Sequence, residues 1–227
     1  MQLNTRIMID LTRKLIFTHP PKCAGTTIEG LFGWHLSKCM GENKLFCSAD
    51  YPKWKHATFD EHLSHLQSIG EDHSRYFVFS CIRNPWDRAV SWYFHRKIIA
   101  VAAYKKNNPN QEIPNNLKKI QHSTFEDFIK NEHYRAKNGG FNALSTRPFI
   151  LSNLGRKPDF IIRHENFLDG MQFVADKFGL DATTAVSFNA NARPKEPHYR
   201  EYYLNDQSIT LVAEMARDSI EDFGYGF

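Results

Sequence analysis

Two short stretches carry the residues that can do chemistry. The first is "HPPKCAGTT", residues 19–27, which follows the apolar run "LIF" and opens into helix-forming residues. The second is "SCIRNPWDRAVSWY", residues 80–93. A strand, a tight turn and a helix together aim the backbone N–H groups of the first helical turn at an anion. In the first stretch Gly25 permits close backbone approach, Thr26 and Thr27 add hydroxyl donors, and Lys22 adds a cation on a flexible stem. In the second, Arg83 offers a planar fork matched to a phosphate dianion, and Ser91 adds a neutral donor eight residues on. Ligands of α/β sheets gather beyond the carboxyl ends of strands. Lys22 and Arg83 both follow such ends, so they suit the two ends of a doubly charged nucleotide. The first stretch is not the GxxxxGK[ST] loop of ATP and GTP enzymes, because its lysine precedes its only glycine. Taken alone it also fits an ordinary strand–helix turn with a surface lysine.

Elements able to position these residues follow from periodicity and punctuation. Residues 15–19 read as a short buried strand and 26–37 as a helix, with 38–55 a loop. Residues 56–69 carry Phe59, Leu63, Leu66 and Ile69 at helical spacing. The run "YFVFSCI", 76–82, is aromatic, short and apolar, and predicts a strand. A helix follows it, with Asn84 as N-cap, Pro85 in the first turn and Asp87 near the positive end of the helix dipole. Trp86, Val90, Phe94 and Ile98 form its expected core stripe. Residues 105–122 begin with a polar, Pro-containing segment and predict a mobile loop or lid. Ser123 and Glu126 suit a capping box opening a helix through Ile129. "FILSNLGRKPDFIIR" suggests two strands joined by a turn at 153–157. A helix over 167–178 stops at Gly179, 189–200 is a basic loop, and Asn205 caps a last helix reaching about Phe223. Strands alternating with helices predict an α/β fold with a parallel sheet.

The whole chain sets the bounds. Its 227 residues predict a single domain, 1–227, able to bury a core without disulfides or metals. The formal net charge of +4 is compatible with anionic ligands, but the basic residues are scattered and no nucleic-acid recognition motif is present. The four cysteines form no CxxC pair, which argues against a zinc site or a disulfide framework and for a reducing compartment. No signal peptide and no transmembrane segment is predicted.

With both motifs in order, the chain resembles the PAPS-dependent sulfotransferases, in particular the carbohydrate group that includes the heparan 2-O- and chondroitin-type enzymes. Their 5′-phosphosulfate loop reads much like "HIPKTAGTS", where this chain has "HPPKCAGTT", and their 3′-phosphate motif reads like "FVRNPWDRLVSxY", where this chain has "SCIRNPWDRAVSWY". "DFIIRHENF" and the closing "YREYYLNDQSITLVAEMARDSIEDFGYGF" extend the likeness to the C-terminus. The resemblance implies a P-loop-NTPase-like three-layer fold, a mainly parallel central sheet flanked by helices. It implies that Lys22, Ala24, Gly25, Thr26 and Thr27 hold the 5′-phosphosulfate of 3′-phosphoadenosine 5′-phosphosulfate (PAPS). Arg83 and Ser91 would then hold its 3′-phosphate, and Arg193 and Lys195 would close over the nucleotide or meet the acceptor. Cys23 stands where threonine is usual, and Pro20 where an aliphatic residue is common, which removes one N–H. A thiolate role for Cys23 is an alternative, since an anion loop lowers a thiol's pKa.

The implied reaction is sulfuryl transfer from PAPS to an acceptor hydroxyl, expected on a carbohydrate, with no metal required. Lys22 would neutralise charge on the bridging oxygen, and the helix start would serve the equatorial oxygens. The hydroxyl needs a base, and histidine suits by its pKa. Of eleven histidines, His56 in "WKHATFDEHL" lies between the nucleotide motifs, where related enzymes place a base, and is the expected catalytic residue alongside Lys22. Glu61 is a weaker candidate. His62 and His65 are expected on a solvated helix face, and His19 is expected to pack beneath the loop or orient it. Arg88 and Arg96 are expected to be solvated or structural, and Arg163 and Glu165 to form a charge pair. An ATP-dependent P-loop-like kinase and a non-catalytic binder of anionic glycan or nucleotide are the alternative functions. The expected location is cytoplasmic for a bacterial protein, or the Golgi lumen for a domain trimmed from a membrane-anchored relative.

Overall fold

The computed structural model describes residues 8–32, 56–183 and 198–227. In chain order its strands are β1 (Ile9–Asp10), β2 (Leu15–Thr18), β3 (Phe77–Ile82) and β4 (Phe160–Arg163). Its α-helices are α1 (Gly25–Leu31), α2 (Phe59–Ser68), α3 (Pro85–Phe94), α4 (Ala100–Asn107), α5 (Asn115–His122), α6 (Phe125–Lys137), α7 (Arg147–Ile150), α8 (Phe167–Phe178), α9 (Asp206–Met215) and α10 (Arg217–Phe223). These elements fall into two compact units, Met1–Arg83 with Thr146–Asn189, and Asn84–Ser145 with Ala190–Phe227.

The first unit holds the sheet. Its order is β1-β2-β3-β4; β1 runs antiparallel to β2, and β2, β3 and β4 run parallel. Thr18 pairs with Ser80 and Ile82 with Arg163, so the strand ends that carry the two motifs are neighbours in register. The two-residue period of a strand sends alternate side chains to opposite faces. Leu15, Phe17, Phe79, Cys81 and Ile162 pack on one face with Ile28 and Leu31 of α1 and Met171 and Val174 of α8. Ile9, Ile16 and Val78 pack on the other with Phe59, Leu63 and Leu66 of α2. The unit is thus a three-layer α/β arrangement with a mainly parallel sheet, as expected. Ser80 and Thr18 are buried hydroxyls inside it; Ser80 Oγ donates to the Thr18 carbonyl at 2.9 Å and Thr18 Oγ1 to the Phe79 carbonyl at 3.4 Å.

Local punctuation explains most element ends. α2 starts at a reciprocal capping box, with the Thr58 N–H on Glu61 Oε2 at 2.6 Å and the Glu61 N–H on Thr58 Oγ1 at 3.3 Å. α8 ends at Gly179 in the left-handed region, φ 63°, as its sequence predicts. Within α8, Gly170 lets the helix approach the sheet, since a Cβ there would lie 2.8 Å from Ile162 Cγ2.

His62 corrects an expectation. It is not solvated but buried, on the α2 face that meets the sheet. Its Nδ1 donates to the Thr58 carbonyl at 2.7 Å, which leaves Nε2 as the site for a second proton, and that atom is buried with no hydrogen-bond partner. Burial, opposed by the Thr58 carbonyl, lowers its pKa to about 4 from an ordinary 6.5. An unfolded chain therefore takes up this proton first as pH falls. The contribution to stability is complete above pH ~6.5 and is lost progressively between there and pH ~4, amounting to about 3 kcal/mol. Unfolding measured across that window should show a steep acid limb in wild type and a flatter one in His62→Leu. Thr58 keeps a donor in the variant, because the His62 backbone N–H also bonds its carbonyl at 3.2 Å.

"FILSNLGRKPDFIIR" is a further correction. Its first part is the short helix α7, with Phe149 and Ile150 buried, and β4 is its only strand. The intervening turn, with Gly155 at φ 75°, is anchored by Arg156, whose guanidinium donates to the His73 and Tyr76 carbonyls at 2.6 Å each. That anchor takes the carbonyls near the start of β3 and returns the chain beside it as β4.

The second unit is helical. Asn84 caps α3, its Oδ1 accepting from the N–H groups of Trp86 at 3.0 Å and Asp87 at 3.4 Å. Trp86, Val90, Tyr93, Phe125, Phe128, Leu144, Val212 and Met215 form its core. Ile98 leaves the expected stripe and is 44% exposed, because α3 passes into a π turn at His95–Ile99 that advances the phase by one residue. Arg88 is structural, fully buried with Nη1 donating to the Leu144 carbonyl at 3.2 Å, and the half-buried Arg96 lies 5.8 Å over the Trp92 ring. The segment read as a loop over 105–122 carries helix at both ends. α4 runs through Asn107, and Pro114 sits at the N-cap of α5, so irregular backbone is confined to 108–114. The cap of α6 is Thr124 rather than Ser123, its Oγ1 accepting from the Asp127 N–H at 3.1 Å, and the helix runs on to Lys137. The last helix divides at Ala216 into α9 and α10.

Candidate active site

The loop between β2 and α1 is built from unusual backbone. Lys22 and Ala24 both take left-handed conformations, φ 66° and 60°. For a residue with a Cβ this costs about 1–2 kcal/mol. Such residues persist where surrounding structure over-determines them, and they concentrate at functional sites. Left-handed residues alternating with right-handed ones turn successive N–H groups into an anion-binding concavity. Ala24 is the N-cap of α1, and its carbonyl accepts from the N–H groups of Thr27 at 3.0 Å and Ile28 at 3.3 Å. Of the two threonines, Thr26 is exposed and Thr27 is buried.

Two residues distant in sequence reach the segment 19–22. Arg83, at the end of β3, donates from Nη1 to the Lys22 carbonyl at 3.4 Å. His56, ahead of α2, places Nδ1 2.9 Å from the His19 carbonyl. A carbonyl only accepts, so Nδ1 carries the proton and Nε2 is the basic nitrogen of neutral His56. His19 lies beneath the loop, as expected, 3% exposed, with its ring stacked on Phe17 at 5.2 Å and 4.4 Å from the His56 ring, centre to centre. It explains the glycine: a Cβ at Gly25 would stand 1.8 Å from His19 Nε2.

Glu29 was missed by sequence reasoning. It is 2% exposed on α1, with Oε1 3.4 Å from His19 Nδ1. The available signal was the one charged residue of α1, set between Ile28 and Leu31. Glu61 has its carboxylate on the α2 cap. The Cys23 thiol lies in the apolar core with Sγ donating to the Pro21 carbonyl at 3.7 Å, an environment that disfavours a thiolate. Arg163 and Glu165 are both exposed at and just after the end of β4. Ser91 is half-buried on α3 in the second unit. Arg193 and Lys195 lie outside the described residues. Among the described residues no cluster of His, Cys, Asp and Glu suits a metal ion, and no helix is long and apolar enough to cross a membrane.

The strained loop, an arginine at the adjacent strand end and a histidine held through Nδ1 thus meet on one short segment. The family model described as "Sulfotransferase family" matches residues 5–225, nearly the whole chain, and the chain belongs to that family. It is a sulfotransferase with the P-loop-like α/β fold of its family, and the reaction it serves is sulfuryl transfer. No curated protein and no solved structure matches the chain.

Proposed function

We propose that the sulfuryl donor is PAPS, that the acceptor is a carbohydrate hydroxyl, and that residues 1–227 act as one sulfotransferase domain. The observation that carries the donor assignment is the Arg83–Lys22 contact. It puts a guanidinium beside the anion loop at neighbouring parallel strand ends, one cation for each charged end of a 3′-phosphorylated nucleotide. Lys22, Ala24, Gly25, Thr26 and Thr27 hold the phosphosulfate, and Arg83 the 3′-phosphate. The roles of Ser91, Arg193 and Lys195 toward the nucleotide, and the carbohydrate nature of the acceptor, rest on the resemblance. The acceptor oxygen attacks sulfur as the bond from sulfur to the bridging oxygen breaks. His56 Nε2 takes the acceptor's proton, Lys22 offsets charge on the departing phosphate, and 3′,5′-ADP leaves.

Thermal unfolding with 3′,5′-ADP, ATP and 5′-AMP tests the donor site. A ligand at a hundredfold its Kd stabilises by about 2.7 kcal/mol, a rise in Tm of roughly 5–11 °C for a chain of this size. We expect that rise with 3′,5′-ADP and its loss in Arg83→Ala. A preference of wild type for ATP, or no response to any of the three, would overturn the assignment in favour of a kinase or a binder of another anion.

A further inference from the structure

Glu29 and His19 have no part in the mechanism so far, yet both are ionisable and almost wholly buried. A carboxylate set among Ile28 and Leu31 is costly unless a cation or strong donors face it. The imidazole faces it at ion-pair distance, Nδ1 to Oε1 at 3.4 Å, in a geometry that makes no hydrogen bond, so His19 answers the carboxylate only when charged. The same imidazole lies 4.4 Å from the His56 ring. Two imidazolium ions so close repel, so the pair takes its protons in coupled steps, and one ring is charged before the other. The surroundings decide which. Glu29, on α1, faces His19. The Arg83 guanidinium donates to the Lys22 carbonyl on the same segment whose His19 carbonyl holds His56, and that positive charge disfavours a further one on His56. On α2, the Glu61 carboxylate is engaged by the Thr58 N–H and buried His62 by the Thr58 carbonyl, while β2 carries no ionisable side chain.

We propose that His19, held as an imidazolium by Glu29, keeps the neighbouring His56 neutral, with Nε2 unprotonated and ready to take the acceptor's proton. His19 is then a positioning residue for charge: it touches neither donor nor acceptor, but it sets where the single proton of the histidine pair resides. Its carbonyl holds the Nδ1–H of His56 before and after the transfer, so only Nε2 changes state. This inference rests on the reading of His56 as the base.

The test is an NMR titration of the intact protein carrying 13C-labelled histidine, with His19→Phe and His56→Asn used to assign the two rings. In wild type we expect His19 to stay protonated at neutral pH and His56 to remain neutral below the ordinary imidazole midpoint. In Glu29→Gln, His19 should lose its charge at neutral pH and the His56 midpoint should rise by roughly one pH unit. The acid limb of kcat should move up with it, while the plateau at higher pH stays in place. A merely structural role for Glu29 would lower the plateau and leave the limb where it was. A neutral His19 in wild type at neutral pH overturns the proposal, even if the variants fail to fold; so does a Glu29→Gln protein with both midpoints unchanged. Wild-type turnover in His56→Asn would instead sink the base assignment, and the ring titration would still report where the proton lies.

Discussion

Turnover of His56→Asn should fall by about 10²–10⁴ relative to wild type, while the Tm response to 3′,5′-ADP is retained. The expectation comes from the split roles of the two ring nitrogens. Nδ1–H is spent on the His19 carbonyl, and Nε2 is the proposed proton acceptor. Asparagine can place an N–H near the position of Nδ1, so the brace to the loop is preserved while the basic atom is removed. Loss of rate without loss of nucleotide affinity is what removal of a transition-state proton transfer predicts. Rates equal to wild type would eliminate His56 as the base and return attention to another proton acceptor. Loss of the nucleotide response would show that His56 holds the loop rather than the proton.

Lys22→Met is the second large effect, a fall in turnover of about 10²–10³. The ammonium is proposed to offset charge that grows on the bridging oxygen as the sulfur–oxygen bond breaks. Methionine keeps the unbranched stem and bears the same left-handed backbone penalty, φ 66°, so the change isolates the charge. Lys22→Gly is the informative companion. It removes the same charge and also relieves the backbone strain, so it should unfold at a higher temperature than Lys22→Met while turning over no faster. A Lys22→Met enzyme near wild-type rate would refute the leaving-group role; a glycine variant more active than the methionine variant would show that backbone shape, not charge, is what the position supplies.

Much of this site is legible in sequence because the signals are local. Lys22, Gly25 and Arg83 stand at strand–helix junctions, and a junction is marked by an apolar run, a turn and a cap within a dozen residues. Asn84–Pro85 opens a helix and Gly179 ends one as predicted, because capping depends on residues in immediate contact. The failures share the opposite cause. Ile98 sits at a sound helical spacing from Phe94, but one π turn shifts the phase and exposes it. Residues 149–152 are apolar enough for a strand, yet they pack as part of helix α7 and its exit, and the Arg156 anchor routes the chain into β4 instead. His62 looks like any polar residue on a helix face until α2 is laid on the sheet, where its position falls on the buried side.

The sequence by itself determined the chemistry available: a loop suited to an anion, an arginine suited to a phosphate, a histidine between them and an alternating strand–helix order. Types and short spacings suffice for that, because hydrogen-bonding capacity and charge belong to the residue. Tertiary structure decided which of these groups act on one another. The parallel register of β2 and β3 brings Arg83 to Lys22, the carbonyl of His19 selects the tautomer of His56, and the turn of the loop buries His19 against Gly25 and Glu29. Those contacts join residues six to 61 positions apart. Local propensity is blind to such pairs, since the free energy that selects them comes from burying the sheet and helices around them.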